Sequence, residues 1–551
     1  MRPVPPHLHR RHDRQPERSS LHQRATDANA TRSFVRATIL AVEDDACASL
    51  RGSGPEKVLE LTLTSDPLGA PPMRCQSLYA GADESPVPGR AYLRDEWYGC
   101  AVQAGDVVHL IGAWAWVEGV RSITLGTFGP ASAPEQSHLL IHHPDIIISA
   151  SRLAGVTSCM RKPMLQERVR SPSDASYVAV LGTMIHGLLQ ACLLAEQAPT
   201  KEFSEVSPRA EAPAAWAHLG NFTHALLTAE VERQLRLQRA ALVLVQASTA
   251  KAREDLWAAV PSLVAFGRSY LATRDAGDAS GPWGPIEDRR TESVVHAQIV
   301  RILGAESDVV SPMYGLKGRV DLVVETVFRT DTGTTRALLP VEVKTGRVST
   351  SMEHMAQTSL YTLLLADQYG LPVDAGLLLY AQAGVLRRIP RATKEVRSLI
   401  LARNEMAAYR RTMPPLPPLN APDVLLNIAC TAGPTPVPTS PTSVDSFDEF
   451  DDVALAALEP LEAPVPFLPP TIDSAYKCER CYAREACLLY RCAVEKVSDT
   501  DSPVAELYRA STQHLTHTDT TFFARWDALL SHEERTLQMY QREMWTLAPA
   551  A

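Results

Sequence analysis

Two short stretches of the sequence decide the fold: "GLKGRVDLVVE", residues 315–325, and "PVEVKTG", residues 340–346. Both are apolar enough to predict short, half-buried strands, yet they carry Asp321, Glu342 and Lys344. Burying charge is unfavourable unless the charge is paired or holds a metal. The two stretches therefore predict either an ion pair or a metal site within a sheet.

Strand geometry brings these charged groups together. Side chains alternate between the two faces of a strand, so Glu342 and Lys344 point the same way while Val343 points into the core. If Asp321 lies across the ladder, two carboxylates, the Val343 carbonyl and one ammonium converge. Mg²⁺ suits such an oxygen-rich site. A salt bridge at a sheet edge is the alternative, and it is the commoner origin of any single match to this pattern.

Three neighbouring features favour the metal. Gly315 and Gly318 allow a close backbone approach at the start of the first strand. Gln357 and Tyr361 are four residues apart on a predicted helix, so both can face one site. His186, on another apolar helix, offers a nitrogen ligand. Each feature alone is more often ordinary packing, and only their combination favours a metal.

The surrounding pattern predicts an α/β protein. Short alternating strands separated by turn signals fill residues 33–145 and predict a small OB-type β-barrel. Residues 146–412 combine long amphipathic helices with the two strands above, a helix that ends at Gly370 before Pro372, and a further buried strand. Strand, strand, helix and strand in this order predict an α/β core.

Both ends and one internal segment differ in composition from this core. Residues 1–32 are rich in Arg and His and are predicted to be a disordered basic arm. Residues 413–475 are Pro-rich and acidic, which predicts a disordered insertion. The region between Arg411 and Lys477 holds nine acidic residues and no Lys or Arg, which matches the net charge of −9, so the rest of the chain is neutral. Residues 501–551 predict a helical stalk.

The bulk properties limit the class of protein. A length of 551 residues predicts two or more domains. We find no apolar run as long as a bilayer span, so we expect a soluble protein without a membrane partner. The N-terminus lacks the apolar region of a secretory signal. No GxxxxGK[ST] phosphate-binding loop occurs, so we expect no helicase motor in this chain.

The cysteines indicate a second metal site. Four of the ten cysteines fall within residues 478–492. Such crowding in a chain without a signal peptide favours metal binding over a disulfide framework. Four thiolates hold either an iron–sulfur cluster or tetrahedral zinc, and their spacing alone does not choose between the two.

In this order, the motifs resemble the RecB-like nucleases of the PD-(D/E)xK superfamily. Within that superfamily, the chain resembles the N-terminal nuclease half of the eukaryotic DNA replication helicase/nuclease family. The resemblance runs from about residue 90 to 545 and rests on these phrases: "LRDEWYGCAVQAGDVVHLIG", "LLIHHPDIIISASRLAGVTSCMRKPMLQERV", "LGTMIHGLLQ", "SPMYGLKGRVDLVVE", "VEVKTG", "HMAQTSLYTLLL" and "CERCYAREAC". It implies a restriction-endonuclease-like mixed sheet with flanking helices, preceded by the barrel and followed by the stalk.

The resemblance also implies a role for each site residue. It implies Asp321 and Glu342 as metal-binding carboxylates, the Val343 carbonyl, His186 and Glu306 as further metal ligands, Lys344 as the catalytic lysine, and Gln357 and Tyr361 as the Q-x-x-x-Y signature beside it. The implied metal is Mg²⁺ or Mn²⁺.

For the cysteines, the resemblance implies a [4Fe–4S] cluster held by Cys159, Cys478, Cys481 and Cys487. Residues 476–500 then form a segment that closes the nuclease core. Cys492 remains as a spare, which we expect to be an ordinary thiol.

The implied function is a metal-dependent nuclease of single-stranded DNA and 5′-flap DNA, in Okazaki fragment maturation and DNA end resection. Its implied partners are a single-strand DNA-binding protein and a helicase motor in cis or trans, and its implied location is the nucleus, with the mitochondrion as alternative. Two other functions stay open: a catalytically idle scaffold that binds single-stranded DNA, which would not need the acids, and a stand-alone iron–sulfur exonuclease, which would not need the barrel or the stalk. Cleavage polarity, oligomeric state and the role of the acidic insertion are not encoded in these patterns.

Overall fold

The structure is a computed structural model, and it describes residues 34–45, 55–64, 87–126, 138–169, 176–195, 220–271, 282–330, 333–412, 468–472, 474–499 and 501–546. Within these ranges, two mixed seven-stranded sheets and twelve α-helices form an α/β fold, which confirms the predicted class. The arm predicted over 1–32 lies outside the described residues, as does most of the insertion predicted over 413–475.

The first sheet comes from the N-terminal region. Its strands are β1 (Phe34–Asp45), β2 (Glu56–Leu63), β3 (Val87–Arg94), β4 (Val107–Ile111), β5 (Ala115–Val117), β6 (Val120–Leu125) and β7 (Leu139–His142). They lie in the order β5-β6-β3-β2-β1-β4-β7, with β3 and β6 parallel and the other pairs antiparallel. Apolar side chains alternate along β2 and β3 and are buried on one face, as the sequence predicts. The closure of this sheet as an OB-type barrel stays a prediction.

The second sheet contains the two stretches that decide the fold. Its strands are β8 (Ile148–Ser149), β9 (Gly284–Asp288), β10 (Val294–Ser311), β11 (Leu316–Thr330), β12 (Gly333–Lys344), β13 (Ala375–Tyr380) and β14 (Val385–Pro390). Their order is β10-β9-β14-β13-β12-β11-β8, and an additional pairing of β10 with β11 closes six of them into a ring. "GLKGRVDLVVE" lies mainly in β11, and "PVEVKTG" ends β12.

Twelve helices surround the two sheets. They are α1 (Ala150–Gly155), α2 (Arg161–Arg168), α3 (Tyr177–Leu194), α4 (His224–Leu237), α5 (Arg239–Leu244), α6 (Thr249–Tyr270), α7 (Met352–Tyr369), α8 (Thr393–Arg411), α9 (Ala475–Glu479), α10 (Arg484–Ala493), α11 (Ala505–Thr512) and α12 (His517–Thr546). Helix α7 ends at Gly370, whose φ of +62° is left-handed, so the predicted C-terminus is confirmed.

Strands β11 and β12 are covered on both faces. Val323 and Leu338 belong to a core shared with the first sheet, α1, α7 and α8. Val324 and Val341 belong to a second core, shared with α3, α4 and α6. Burial on both faces explains why these strands are nearly continuous apolar runs. Charged side chains within them are therefore exceptions that need a partner.

Helix α3 is long and apolar enough to cross a membrane, by length and composition only. The expectation that no apolar run reaches that length is therefore wrong for the described residues. In the structure, 44% of this helix is buried inside the protein. Met184, Ile185 and Leu188 are fully buried in the second core, among residues of α4 and α6. The physical reason for the apolar run is thus core packing.

A buried arginine joins the first sheet to the second. Arg403 of α8 is fully buried, and its Nη2 donates to the carbonyls of His143 and Ile146 at 2.8 and 2.6 Å. A Cβ on Gly315, which has a φ of +59°, would lie 2.3 Å from the same Nη2. Glycine is thus required there for backbone conformation and for space. This contact fixes where β11 begins.

Helix α12 occupies most of the predicted stalk. Large apolar side chains along one side of this helix are exposed: Phe522, Trp526 and Leu530 lie on the surface. The opposite side faces the core through Phe523 and Ala528. That this helix acts as a stalk stays a prediction.

Candidate metal centres

The ends of β11 and β12 bring the two predicted carboxylates together. The antiparallel ladder between these strands ends at the pair of Leu322 and Val341, so Asp321 and Glu342 occupy the next positions. There the strands separate, and the Val343 N–H donates to Asp321 Oδ2 at 2.6 Å. Asp321 therefore lies across the ladder from Glu342, so the condition under which the carboxylates converge is met.

Two further predicted ligands lie beside Asp321. Glu306 of β10 lies opposite Asp321, because the residues on either side of Glu306 pair with those on either side of Asp321. The backbone of Glu306 is left-handed, with a φ of +47°. His186 of α3 places Nδ1 at 3.7 Å from Asp321 Oδ1. One potential ligand atom from each of these three residues lies within 4.8 Å of the other two. The residues lining the small cavity here are His186, Leu189, Gln190, Glu306, Asp321, Leu322 and Val343.

The pKa values of all three carboxyl groups at this site are raised. Burial is the main cause for Asp321, Glu306 and Glu342, since it disfavours the charged form. The charge of Asp321 adds to burial at the other two, and the pKa of Glu342 rises to about 8. Glu342 Oε2 is buried and makes no hydrogen bond within the described part of the chain. This geometry fits a divalent cation, which would relieve the repulsion and bind the unpartnered oxygen.

Lys344 is held on the other side of Glu342 by a chain of hydrogen bonds. Its Nζ donates to Glu342 Oε1 at 2.6 Å and to Gln357 Oε1 at 3.0 Å. Gln357 Nε2 then donates to the Tyr361 hydroxyl at 3.0 Å, and that hydroxyl donates to the Arg319 carbonyl at 2.8 Å. Gln357 therefore orients the lysine, and Tyr361 orients Gln357.

A glycine lets this chain of hydrogen bonds form. A Cβ on Gly318 would lie 2.7 Å from a ring carbon of Tyr361. That distance is too short for a real contact, so only glycine lets α7 approach β11 this closely. The two glycines of "GLKG" predicted a close backbone approach. In the structure, Gly318 lets α7 approach β11. The Val343 carbonyl stays a predicted ligand, because the contact made by Val343 to Asp321 is through its N–H.

The four predicted cysteine ligands form a second site. Cys159 follows α1, Cys478 lies in α9, Cys481 in the next turn and Cys487 in α10. All four are free thiols. Burial raises the pKa of Cys478 and Cys487, and the nearby cysteines, Cys159 among them, raise it further. The thiols of distant segments thus lie close enough to interact electrostatically.

The distances between the four sulfur atoms can be compared with those that a bound zinc ion requires. Tetrahedral zinc with Zn–S bonds of about 2.3 Å holds its sulfurs roughly 3.8 Å apart. Two groups of His, Cys, Asp or Glu in the described residues have ligand atoms within 4.8 Å of one another, and neither group contains a cysteine. No three of the four thiols therefore have their sulfur atoms all within 4.8 Å of one another, and both zinc and an iron–sulfur cluster stay candidates for this site.

Arg161 is a residue of the cysteine site that the sequence analysis missed. It is 1% exposed, and its Nε donates to Cys487 Sγ at 3.2 Å. Its two terminal nitrogens donate to the two oxygens of Glu495 at 2.8 Å, and one of them also donates to the Pro469 carbonyl at 2.8 Å. The available signal was a basic residue two positions after Cys159, in "CMRKP". Cys492, predicted as the spare, instead contacts the Tyr508 side chain.

A second group missed from the sequence is Asp106, His142 and His143, all buried, with ligand atoms within 4.8 Å of one another. His142 Nε2 lies 2.8 Å from Asp106 Oδ2, and Arg411 donates to the other oxygen at 2.8 Å. Arg411 Nη1 also lies 3.1 Å from His143 Nδ1. A guanidinium already occupies the position a cation would take. We interpret this group as a joint between α8 and the first sheet.

Two mixed sheets with flanking helices, and two carboxylates and a lysine at adjacent strand ends, are consistent with a nuclease-like α/β fold. The family model described as "DNA replication factor Dna2" matches residues 83–326. This confirms the family resemblance of the sequence. The matched region includes Cys159, His186, Glu306 and Asp321.

Individual relatives extend the similarity over most of the chain. The human DNA replication ATP-dependent helicase/nuclease DNA2 is 26% identical over 451 residues, covering 81% of this chain and 35% of the relative. The chicken protein of the same name is 24% identical over 490 residues, 88% of this chain and 40% of the relative. The Arabidopsis helicase/nuclease JHS1 is 24% identical over 457 residues, 82% and 28% respectively. The chain spans about a quarter to two fifths of the length of these relatives.

Proposed function

We propose that this chain is a metal-dependent nuclease that hydrolyses phosphodiester bonds in single-stranded DNA. The observation that carries the proposal is the convergence of Asp321, Glu342 and Lys344 at the ends of two adjacent strands. The similarity to proteins named as DNA replication helicase/nucleases supports DNA as the substrate.

Asp321, Glu306 and His186 would hold a divalent cation, Mg²⁺ or Mn²⁺, with Glu342 and the Val343 carbonyl as further ligands. Such a cation supplies Lewis acidity, which lowers the pKa of a water and stabilises charge on a phosphate. As a ligand, Glu342 would be ionised and would offer the oxygen that makes no hydrogen bond within the described residues. Gln357 orients Lys344, whose ammonium would stabilise charge on the attacking water or the phosphate. Tyr361 acts only through Gln357.

We also propose a [4Fe–4S] cluster on Cys159, Cys478, Cys481 and Cys487. The electrostatic proximity of Cys478 and Cys487 to Cys159 and Cys481 supports a shared site, the N–H donated by Arg161 to Cys487 Sγ suits a thiolate ligand, and the family resemblance favours the cluster over zinc. When bound, the cluster supplies a covalent tie between α1 and the C-terminal helices. Its absence or presence is visible directly, because an iron–sulfur protein is brown and a zinc protein is colourless.

The finer parts of the architecture and role belong to the same proposal. The first sheet would be an OB-type barrel, the second a restriction-endonuclease-like sheet, and α12 a stalk. The substrates would be 5′ flaps in Okazaki fragment maturation and resected ends in repair, with a single-strand DNA-binding protein and a helicase motor as partners. This role would place the chain in the nucleus, with the mitochondrion as the alternative location.

The test is cleavage of a 5′-flap substrate in Mg²⁺ by the Asp321→Asn variant. Asparagine keeps an oxygen that accepts the Val343 N–H but removes the charge, so the fold is retained and cleavage falls below detection. Asp308→Asn is the matched control, since Asp308 is an exposed acid on β10 paired with Arg319. Undiminished Mg²⁺-dependent cleavage by Asp321→Asn would refute the proposal.

A further inference from the structure

The segment that carries three of the four cysteines also presents two exposed tyrosines. Tyr476 is 68% exposed and Tyr482 is 51% exposed. Each ring has a cation near its face: Arg480 Cζ lies 3.8 Å from the Tyr476 ring centroid, and Lys162 Nζ lies 4.7 Å from that of Tyr482. We define the tyrosine–cation surface by its residues Lys162, Tyr476, Lys477, Arg480, Tyr482 and Arg484.

Hydrogen bonds hold these rings on a defined scaffold. The backbone N–H of Cys478 donates to Ser474 O at 3.0 Å, that of Cys481 to Cys478 O at 3.1 Å, and that of Arg484 to Cys481 O at 3.1 Å. Arg480 Nη1 also donates to the Tyr476 carbonyl at 3.3 Å, which fixes the guanidinium beside the ring. The aromatic groups are thus positioned by the same turns that position the thiols.

The two sides of the cysteine site contribute to this surface together. Lys162 belongs to α2 and directly follows Arg161, whereas Tyr482 belongs to the turn between α9 and α10. Their contact crosses the same gap as the hydrogen bond from Arg161 to Cys487, which are 326 positions apart in sequence. The surface is therefore complete only when the cysteine site is closed.

The charge of this surface is positive. Between residues 476 and 485 there are three basic residues, Lys477, Arg480 and Arg484, and two acids, Glu479 and Glu485. Lys162 of α2 adds a fourth cation. Those acids lie 3.8 and 3.9 Å from Arg480 and Arg484, and exposed ion pairs at such distances are weak and screened by salt. The cations can therefore exchange these partners for phosphates at little cost.

We propose that the tyrosine–cation surface binds single-stranded DNA, with bases stacked on Tyr476 and Tyr482 and phosphates beside the four basic residues. Alternating aromatic and basic groups are the means by which proteins bind single strands without reading their sequence. The guanidinium of Arg480 extends the stacking platform, since base planes also stack on arginine. This proposal rests on the proposed function for its ligand and adds a binding surface separate from the carboxylates.

The experiment measures binding apart from cleavage. The full chain with the Asp321→Asn background is titrated against a fluorescein-labelled oligothymidine and followed by fluorescence anisotropy. Adding Tyr476→Ala and Tyr482→Ala weakens the Kd about 10-fold or more, because stacking contributes about 1–3 kcal/mol per base. Adding Tyr476→Phe and Tyr482→Phe instead leaves the Kd within about twofold, since the rings remain.

Matched controls separate this surface from exposed aromatics in general. Phe522→Ala with Trp526→Ala removes another exposed pair, both residues being 47% exposed and lying on α12, and leaves the Kd unchanged. Replacing Lys162 and Arg480 with Gln lowers the slope of log Kd against log salt, because fewer counterions are released. Visible absorbance reports whether each variant retains its cluster.

A second measurement does not depend on mutant folding. An iodouracil-substituted single strand is photocrosslinked to the Asp321→Asn chain with both tyrosines intact, and the crosslinked peptides are mapped by mass spectrometry. We expect crosslinks at Tyr476 or Tyr482. Crosslinks confined to other regions, or an unchanged Kd in the alanine variant, would overturn the proposal. If the tyrosine variants weaken binding but the Asp321-dependent cleavage is absent, the surface stands and the nuclease proposal fails.

Discussion

The two candidate metal centres are assembled in opposite ways. The carboxylate site gathers Asp321, Glu342 and Lys344 from two neighbouring strands, where burial and the charge of Asp321 raise the pKa of Glu342. The cysteine site joins α2 to α10, which are hundreds of residues apart, and a buried arginine compensates its charge. The first site is unfavourable until a cation binds, whereas the second ties distant parts of the chain together. The difference predicts that damage to the first affects chemistry and damage to the second affects stability.

The largest expected effect is on stability, at the cysteine site. Cys159→Ser removes the ligand that joins the two ends of a very long loop, and loop-closure entropy assigns about 5 kcal/mol to such a tie. We expect loss of the visible iron–sulfur absorbance and a lower free energy of unfolding in urea. Cys492→Ser is the control, since its thiol contacts Tyr508 and not the four ligands. Equal stability of both variants would contradict the comparison.

The next effect is on cleavage, at the carboxylate site. Lys344→Met removes the ammonium but keeps the length of the side chain, and we expect kcat to fall about 10²–10³-fold, as for loss of a single positioned charge. The free energy of unfolding changes little, because Glu342 is already favoured in its neutral form. Lys394→Met, an exposed lysine of α8, is the control in the same flap-cleavage assay. A Lys344→Met variant that unfolds readily while cleaving normally would reverse the assignment.

Features set by local sequence patterns can be predicted from the sequence, whereas contacts between distant segments cannot. Asp321, Glu342 and Lys344 followed from the period of a strand, and Gln357 with Tyr361 from the period of a helix, because both periods are local. The end of α7 at Gly370 followed from local backbone preference. The side of the strand or helix on which each of these residues lies is set by the local repeat, so a pattern is enough to predict it.

Features that depend on long-range register did not follow from the sequence. The position of Glu306 opposite Asp321 requires the pairing of β10 with β11, which also closes the sheet into a ring. The contacts of Arg161 with Cys487 and of Arg411 with Asp106 join segments that no local pattern relates. The cysteine set was recognised through family resemblance, since its spacing alone also allowed zinc.

Arg161→Gln tests whether the charge of Arg161 helps to hold α2 and α10 together at the cysteine site. The substitution leaves Glu495 without its bidentate partner and removes the N–H donated to Cys487 Sγ. Breaking a buried ion pair lowers the free energy of unfolding by about 3 kcal/mol, and losing a donor to a cluster sulfur lowers the reduction potential. Urea unfolding and a spectroscopic redox titration measure the two effects. Arg484→Gln, which removes a less buried arginine at the start of α10, the helix of Cys487, should leave both values near those of the unmodified chain.

The smallest expected effect is a pH dependence at the carboxylate site. The pKa of Glu342 is about 8 in the folded chain, against an ordinary value of 4.5. Between these values the folded state binds more protons than the unfolded state, so without divalent cations the free energy of unfolding falls as pH rises, by at most about 1.4 kcal/mol per pH unit. Glu342→Gln reduces this slope to the part contributed by Asp321 and Glu306, whose pKa values are also raised, and Glu485→Gln, an exposed control, retains the full slope. Because a cation must displace the proton, the increase in Tm caused by Mg²⁺ should grow from pH 6 to pH 8 in the unmodified chain. A Tm that rises with pH in EDTA would show that Glu342 is ionised without a cation, and that Lys344 alone compensates its charge.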